Sequence, residues 1–386
     1  MADIFSATVS EYGRWARDFK IFRDTVLPYG FDADNQQKVR VTIIDTGIDA
    51  LHPYLNKRWV SRVEGVHAPL FCDWTVNTDI TPSDHDPVDA DGHGTFIAGL
   101  LLQLAPNIEL SVARIGVTRQ SIKNDVQLGK RVGKVISLSS DVAGHILISF
   151  QAIEYAIDVW NTEIISISFG SQAVVPEIRD AIEKAHASNV IVVAAAGNSG
   201  NCDDIAFPAS EDGVIKAFAA NSMGKAAGFS PSPQPDESSY FILGCGVLST
   251  WPSQLQEKAK IDGIYIASFD KDDYHEGHTG AEHDLWAVMS GASFATPIMA
   301  ALVAIIFEFY DNNKDIIHLR GGARRFKTQR AVRAILSALS RPPAALTPYY
   351  FLTPSAWIQQ YPHYCGVSET EWFAQKLTEA LSKNRV

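Results

Sequence analysis

The stretch VRVTIIDTGID, residues 39–49, opens with five β-branched residues in six positions and then breaks into an acid, a threonine and a glycine. A run that apolar and that branched fits a strand buried on both faces, which is how strands of parallel sheets read. The same grammar repeats downstream. HGTFIAGLLLQLA (93–105) has helical apolar spacing, and IELSVARI (108–115) reads as a strand. FQAIEYAIDVWN (150–161) is an amphipathic helix, and IISISFG (164–170) a strand again. PEIRDAIEKAHAS (176–188) places Pro176 at a helix start, and NVIVVAAAGNSG (189–200) and VIKAFAAN (214–221) complete the series. Apolar strands joined by helices predict an α/β fold: a mostly parallel sheet with helices on both faces. Ligands in such sheets bind beyond the carboxyl ends of the strands, where Asp45, Gly170 and Asn198 fall.

Other segments are less regular. Residues 230–240, SPSPQPDESSY, read as a loop, and 341–354, RPPAALTPYYFLTP, interrupt the tail after a helix predicted over 324–340. EWFAQKLTEALS (371–382) is a last amphipathic stretch, and EYGRWARDFKIFRDTVL, near the start, reads as a helix packing on the domain. The expected organisation is therefore a helical N-terminal extension over 1–38, the α/β domain over 39–345 and a helical C-terminal extension over 346–386.

The 386 residues are 46% hydrophobic and 20% charged, with a net charge of −11 and a pI near 5.5. This is the balance of a soluble globular protein with ample core, and it argues against sequence-independent nucleic-acid binding. The charged N-terminus lacks the apolar centre of a signal peptide, and no apolar stretch looks long enough to span a membrane, so a cytoplasmic setting is expected. The four cysteines, Cys72, Cys202, Cys245 and Cys365, are far apart; reduced thiols are expected, with one disulfide left open.

Singly, the polar residues at the strand ends have ordinary explanations. Asp45 is a turn residue, Asn198 a loop residue and Ser293 a helix cap, while His93 opens a helix between glycines. Together they supply a hydroxyl nucleophile, an imidazole base, a carboxylate to hold that base and an amide donor for an oxyanion, the full set that acyl transfer to serine needs.

At this point the chain resembles the subtilisin-like serine proteases. VTIIDTGID, DGHGTFIAG, AAAGNSG and SGASFATP look like that family's four signature motifs, in its order of Asp, His, Asn and Ser. The resemblance covers roughly residues 39–310. It implies that Asp45 orients the histidine, His93 is the general base, Ser293 the nucleophile and Asn198 an oxyanion donor. ISISFGS resembles the segment that docks substrate as an added strand, which makes Ser168, Phe169 and Gly170 the expected rail. Ala206, with the following FPAS, resembles the flank of the primary specificity pocket.

There are departures. Phe96 stands where the family often has a second histidine, on the packing side of the helix. Residues 251–288 read as an insertion near the nucleophile, a lid or a surface for a partner, and the N-terminal extension is a second place for a partner or neighbouring domain. No cofactor is required by the resemblance. Structural calcium, common in the family, has no decisive loop pattern here, and the histidine-rich DKDDYHEGHTGAEHD (270–284) reads as a solvated loop rather than a zinc site. Asp203 and Asp204 read first as surface carboxylates and second as a preference for a basic residue before the scissile bond. The expected function is a serine endopeptidase acting on protein or peptide chains, an intracellular regulatory or processing enzyme. Two alternatives stay open: a catalytically silent binding module on the same fold, and a peptide ligase or cyclase using the same acyl-enzyme.

Overall fold

A computed structural model describes residues 2–27, 38–59, 70–75, 86–122, 152–200, 204–233, 239–267, 284–317, 319, 322–341, 349–359, 361 and 366–384. Within them the opening stretch forms β1 (Arg40–Asp45), followed by β2 (Phe71–Asp73), β3 (Glu109–Arg114), β4 (Ile164–Ile167), β5 (Ile191–Ala195), β6 (Val214–Ala220) and β7 (Tyr240–Leu243). With β11 (Tyr350–Phe351) they build one eight-stranded sheet in the order β11-β7-β6-β5-β4-β1-β3-β2. Every pairing in it is parallel.

Burial on both faces explains the unbroken apolar strands. In β5, Ile191 and Val193 face one core cluster while Val192 and Ala194 face the other. β6 alternates in the same way, Ile215, Ala217 and Ala219 against Val214, Phe218 and Ala220. One cluster takes in helices His93–Leu104 and Ala292–Asn312; the other takes in the helix at 152–158 and Pro176–Ala187. The chain leaves β1 for β2 and then β3 on one side and returns to β4 on the other, so a crevice opens at the carboxyl ends of β1 and β4. The site is built there.

Several expectations change. Residues 251–288 are not patternless. β8 (Val247–Trp251), β9 (Tyr265–Ala267) and β10 (Leu285–Met289) form a separate antiparallel sheet in the order β8-β10-β9, with helix Gln256–Ile261 between β8 and β9. Residues 268–283 lie outside the described residues. The helix predicted over 324–340 is two, Ala323–Phe326 and Gln329–Leu339, because Thr328 caps the second by accepting the Ala331 N–H at 3.2 Å. Helix Ala292–Asn312 is also long and apolar enough, by length and composition, to cross a membrane, contrary to the sequence estimate. Its most apolar 18-residue window is 89% buried in the fold, as that of a central core helix must be.

The N-terminal helix, Ala2–Val26, turns Tyr12, Trp15, Phe19, Phe22 and Val26 inward. Phe22 meets Trp357 at 4.4 Å and Phe373 at 5.6 Å between ring centroids, joining the two ends of the chain. Arg23 donates to the carbonyls of Gln103 and Leu104, which helix His93–Leu104 leaves unsatisfied at its end.

Candidate active site

The turn after β1 and the start of helix His93–Leu104 are locked together. Asp45, 2% exposed, accepts the Thr46 N–H at 2.8 Å and the His93 Nδ1–H at 2.8 Å on the same oxygen, Oδ1. A carboxylate can only accept, so the shared proton sits on Nδ1 and leaves the Nε2 lone pair as the basic site. Gly92, immediately before the helix, has φ +94°, and a Cβ there would strike the Trp251 ring at 2.6 Å. Only glycine permits both.

Asp89 fixes this junction. Its Oδ1 accepts from Asp91 N (2.9 Å), Gly92 N (2.9 Å) and Thr46 Oγ1 (3.0 Å), and its Oδ2 from Thr95 N (2.8 Å) and Thr95 Oγ1 (2.7 Å). The free amides at the helix start are thus satisfied by a carboxylate that is 1% exposed. Thr46 Oγ1 in turn accepts the Gly94 N–H at 3.0 Å, tying the turn that carries Asp45 to the helix that carries His93.

Ser293 stands in the first turn of helix Ala292–Asn312, half-buried. Among the described residues its Oγ donates to the Ser168 carbonyl at 2.9 Å rather than to His93, and Ser168 Oγ donates back to the Ser293 carbonyl at 2.9 Å. The His93 ring lies 5.5 Å from that of the next residue, Phe294. Asn198, exposed after β5, accepts the Ala292 N–H on Oδ1 at 2.8 Å, which orients its amide and leaves Nδ2 with both protons to give.

Asp45, His93, Ser293 and Asn198 line one cleft of about 360 Å³. So do Ser168, Phe169, Gly170 and Ala206. The strand predicted over 164–170 leaves the sheet ladder after Ile167, so the backbone at 168–170 forms an edge beside the cleft. A Cβ on Gly170 would come within 2.8 Å of that of Ala206, which keeps this edge slim. Phe96 is fully buried against Phe294, at 4.7 Å between rings, on the packing side of its helix. Asp204 lines the cleft, while Asp203 lies outside the described residues.

Among the described residues no group of three or more His, Cys, Asp or Glu side chains is placed to hold a metal ion. Of the histidine-rich stretch only Asp284 is described; its carboxylate accepts the Trp286 indole N–H at 2.9 Å.

Sequence reasoning missed Asp89, Asp91 and Arg119. Asp91 precedes the histidine by two residues and takes Arg119 Nε at 2.6 Å, and Arg119 lines the cleft. An acid four residues before a helical His, ahead of Thr at the third helical position, was a readable capping signal; the Asp91–Arg119 pair had none.

The model of the family described as "Subtilase family" matches residues 36–338. An intracellular serine protease of Paenibacillus polymyxa is 30% identical over 276 residues, 69% of this chain and 66% of its own length. Subtilisin DY of Bacillus licheniformis is 30% identical over 257 residues, 64% of this chain and 77% of its own. Among solved structures, the protease domain of PatA superposes with a TM-score of 0.52 at 19% identity, covering 82% of this chain and 93% of that one, a likeness of fold.

Proposed function

Because the chain belongs to the subtilase family, we propose that it is a serine endopeptidase in which Ser293 attacks the peptide carbonyl and His93 takes its proton. Asp45 holds the imidazole and stabilises the imidazolium. Asn198 Nδ2, with the Ser293 backbone N–H, receives the oxyanion. His93 then returns the proton to the departing amine, and water cleaves the ester by the same route. Hydroxyl, imidazole, carboxylate and amide handle every proton and charge, so the proposal calls for no cofactor.

The observation that carries this reading is the buried Asp45–His93 hydrogen bond of 2.8 Å, on the same cleft as Ser293 and Asn198. The resting bond from Ser293 Oγ to the Ser168 carbonyl has a place in it. A peptide docking along 168–170 brings an N–H that competes for that carbonyl. The freed hydroxyl reaches His93 by rotation about χ1 between staggered wells.

That same resting bond favours one other reading, a silent binding module whose serine never engages its base. Incubation with an unfolded protein such as casein separates the two. New N-termini found by mass spectrometry with the wild type, and not with Ser293→Ala, support the peptidase. Intact casein supports the module, and joined rather than cut products would show ligation. The Paenibacillus relative, by its name, supports an intracellular setting for the enzyme, which cell fractionation tests.

A further inference from the structure

We infer that Arg119 makes the cleft selective for a peptide carrying an aspartate or glutamate side chain at its histidine end; the inference rests on the peptide-docking reading above. Four strand ends order the cleft. Asn198 follows β5, the 168–170 edge follows β4, Asp45 ends β1, and Arg119 follows β3. Arg119 therefore stands beyond the Asp45–His93 pair, at the end of the cleft opposite Asn198.

Its setting orients it. Asp91 is almost wholly buried and spends its two oxygens differently: Oδ1 takes Arg119 Nε at 2.6 Å, and Oδ2 takes the Arg119 backbone N–H at 3.1 Å. Thr118 and Ser121 cap each other around the same turn, Ser121 N–H to Thr118 Oγ1 at 3.0 Å and Thr118 N–H to Ser121 Oγ at 3.1 Å. The side chain is thus held by its Nε, while it remains 33% exposed and lines the cleft. Among the described residues its hydrogen bonds end at Nε. The Nη fork is left for a ligand, and its planar pair of donors matches a carboxylate. Lys258 lies 3.9 Å from Asp91 Oδ2, but its nearer partner is Asp262 at 2.9 Å, so Asp91 answers chiefly to Arg119. At the other end of the cleft the charge is reversed, because Asp204 lines it beside Ala206. A carboxylate on the peptide is attracted at one end and repelled at the other.

The test uses the full chain carrying Ser293→Ala, which holds peptides without cutting them. Peptide pairs differing only by Glu against Gln, with the pair moved along the sequence, are measured by fluorescence anisotropy at about 50 mM salt. The expected result is a Glu preference of about fivefold to tenfold, confined to positions at one end and lost at about 0.5 M salt. Adding Arg119→Gln brings the ratio to about one, and Arg119→Lys, whose single ammonium cannot both hold Asp91 and present a planar fork, restores only a small part of it. A purely structural role for Arg119 would not make the ratio depend on peptide position. Equal binding of the pairs at every position, no binding of either, or a preference that survives Arg119→Gln overturns the inference. Wild-type cleavage is scored separately. Peptides that bind by charge and are never cut would sink the peptidase reading alone, and cleavage without a Glu preference would sink this one alone.

Discussion

Replacing Asp89 by asparagine removes one negative charge and turns one acceptor into a donor, with almost no change of shape. The five hydrogen bonds that Asp89 accepts include three from backbone amides, those of Asp91, Gly92 and Thr95. In the less costly orientation the new NH2 replaces Oδ2 and faces the Thr95 N–H, orphaning that buried donor at a cost of about 1–3 kcal/mol. The three bonds kept on Oδ1 lose their charge assistance, about 1 kcal/mol each. The sum is about 4–6 kcal/mol, at the upper end of single-substitution effects. At about 2.1 cal/mol/K of unfolding entropy per residue, that lowers the melting temperature of a chain of this length by about 5–7 °C. Differential scanning calorimetry reads this directly, with exposed Asp86→Asn as a control expected within about 0.5 kcal/mol of wild type. A melting temperature for Asp89→Asn within about 1 °C of wild type would refute the reasoning that this carboxylate holds the histidine junction.

Asn198→Ala should lower turnover about a hundredfold or more with little change in KM, a size known from the oxyanion donor of a subtilisin rather than worked out from this chain; steady-state kinetics check it. His52 is buried, and desolvation holds its imidazole below the usual histidine range despite the Leu285 carbonyl, Asp284 and Asp49. The unfolded chain therefore binds the extra proton first, and stability present above about pH 6.5 falls as the pH drops through the folded value, by at most about 1.4 kcal/mol per pH unit. Urea midpoints between pH 7.5 and 5 should flatten in His52→Gln. Burial pushes the Cys245 thiol up to about 11, so at pH 8 its thiolate fraction, and its alkylation by iodoacetamide, should be about a hundredfold below that of an unperturbed thiol; mass spectrometry of the labelled native protein measures this.

The sequence made the central sheet legible because β1, β4, β5 and β6 are covered on both faces and so must be apolar without interruption. It made the motif residues legible because each stands at a strand or helix end where glycines mark a close backbone approach. The three-stranded sheet around β8, β9 and β10 escaped notice. Its strands are only three to five residues long, and β10 pairs with β8 across 33 to 41 intervening positions, so no local period announces it. The charge pairs of the cleft escaped for a related reason. Arg119 meets Asp91 from 28 residues away on another element, and nothing in either neighbourhood names the other. The break at Thr328 was readable, since a threonine ahead of a renewed apolar period is a cap, but the longer pattern masked it.

The account stands on Ser293 being made nucleophilic by His93 and Asp45, and the most direct test is the rate at which a fluorophosphonate acylates the folded protein. The account predicts that the wild type is labelled on the peptide containing Ser293, that Ser293→Ala is not labelled, and that His93→Ala and Asp45→Asn slow the reaction at pH 7.5 by about a thousandfold or more. A folded wild type that resists the reagent, or labelling at Ser293 that is as fast without the imidazole as with it, would contradict it.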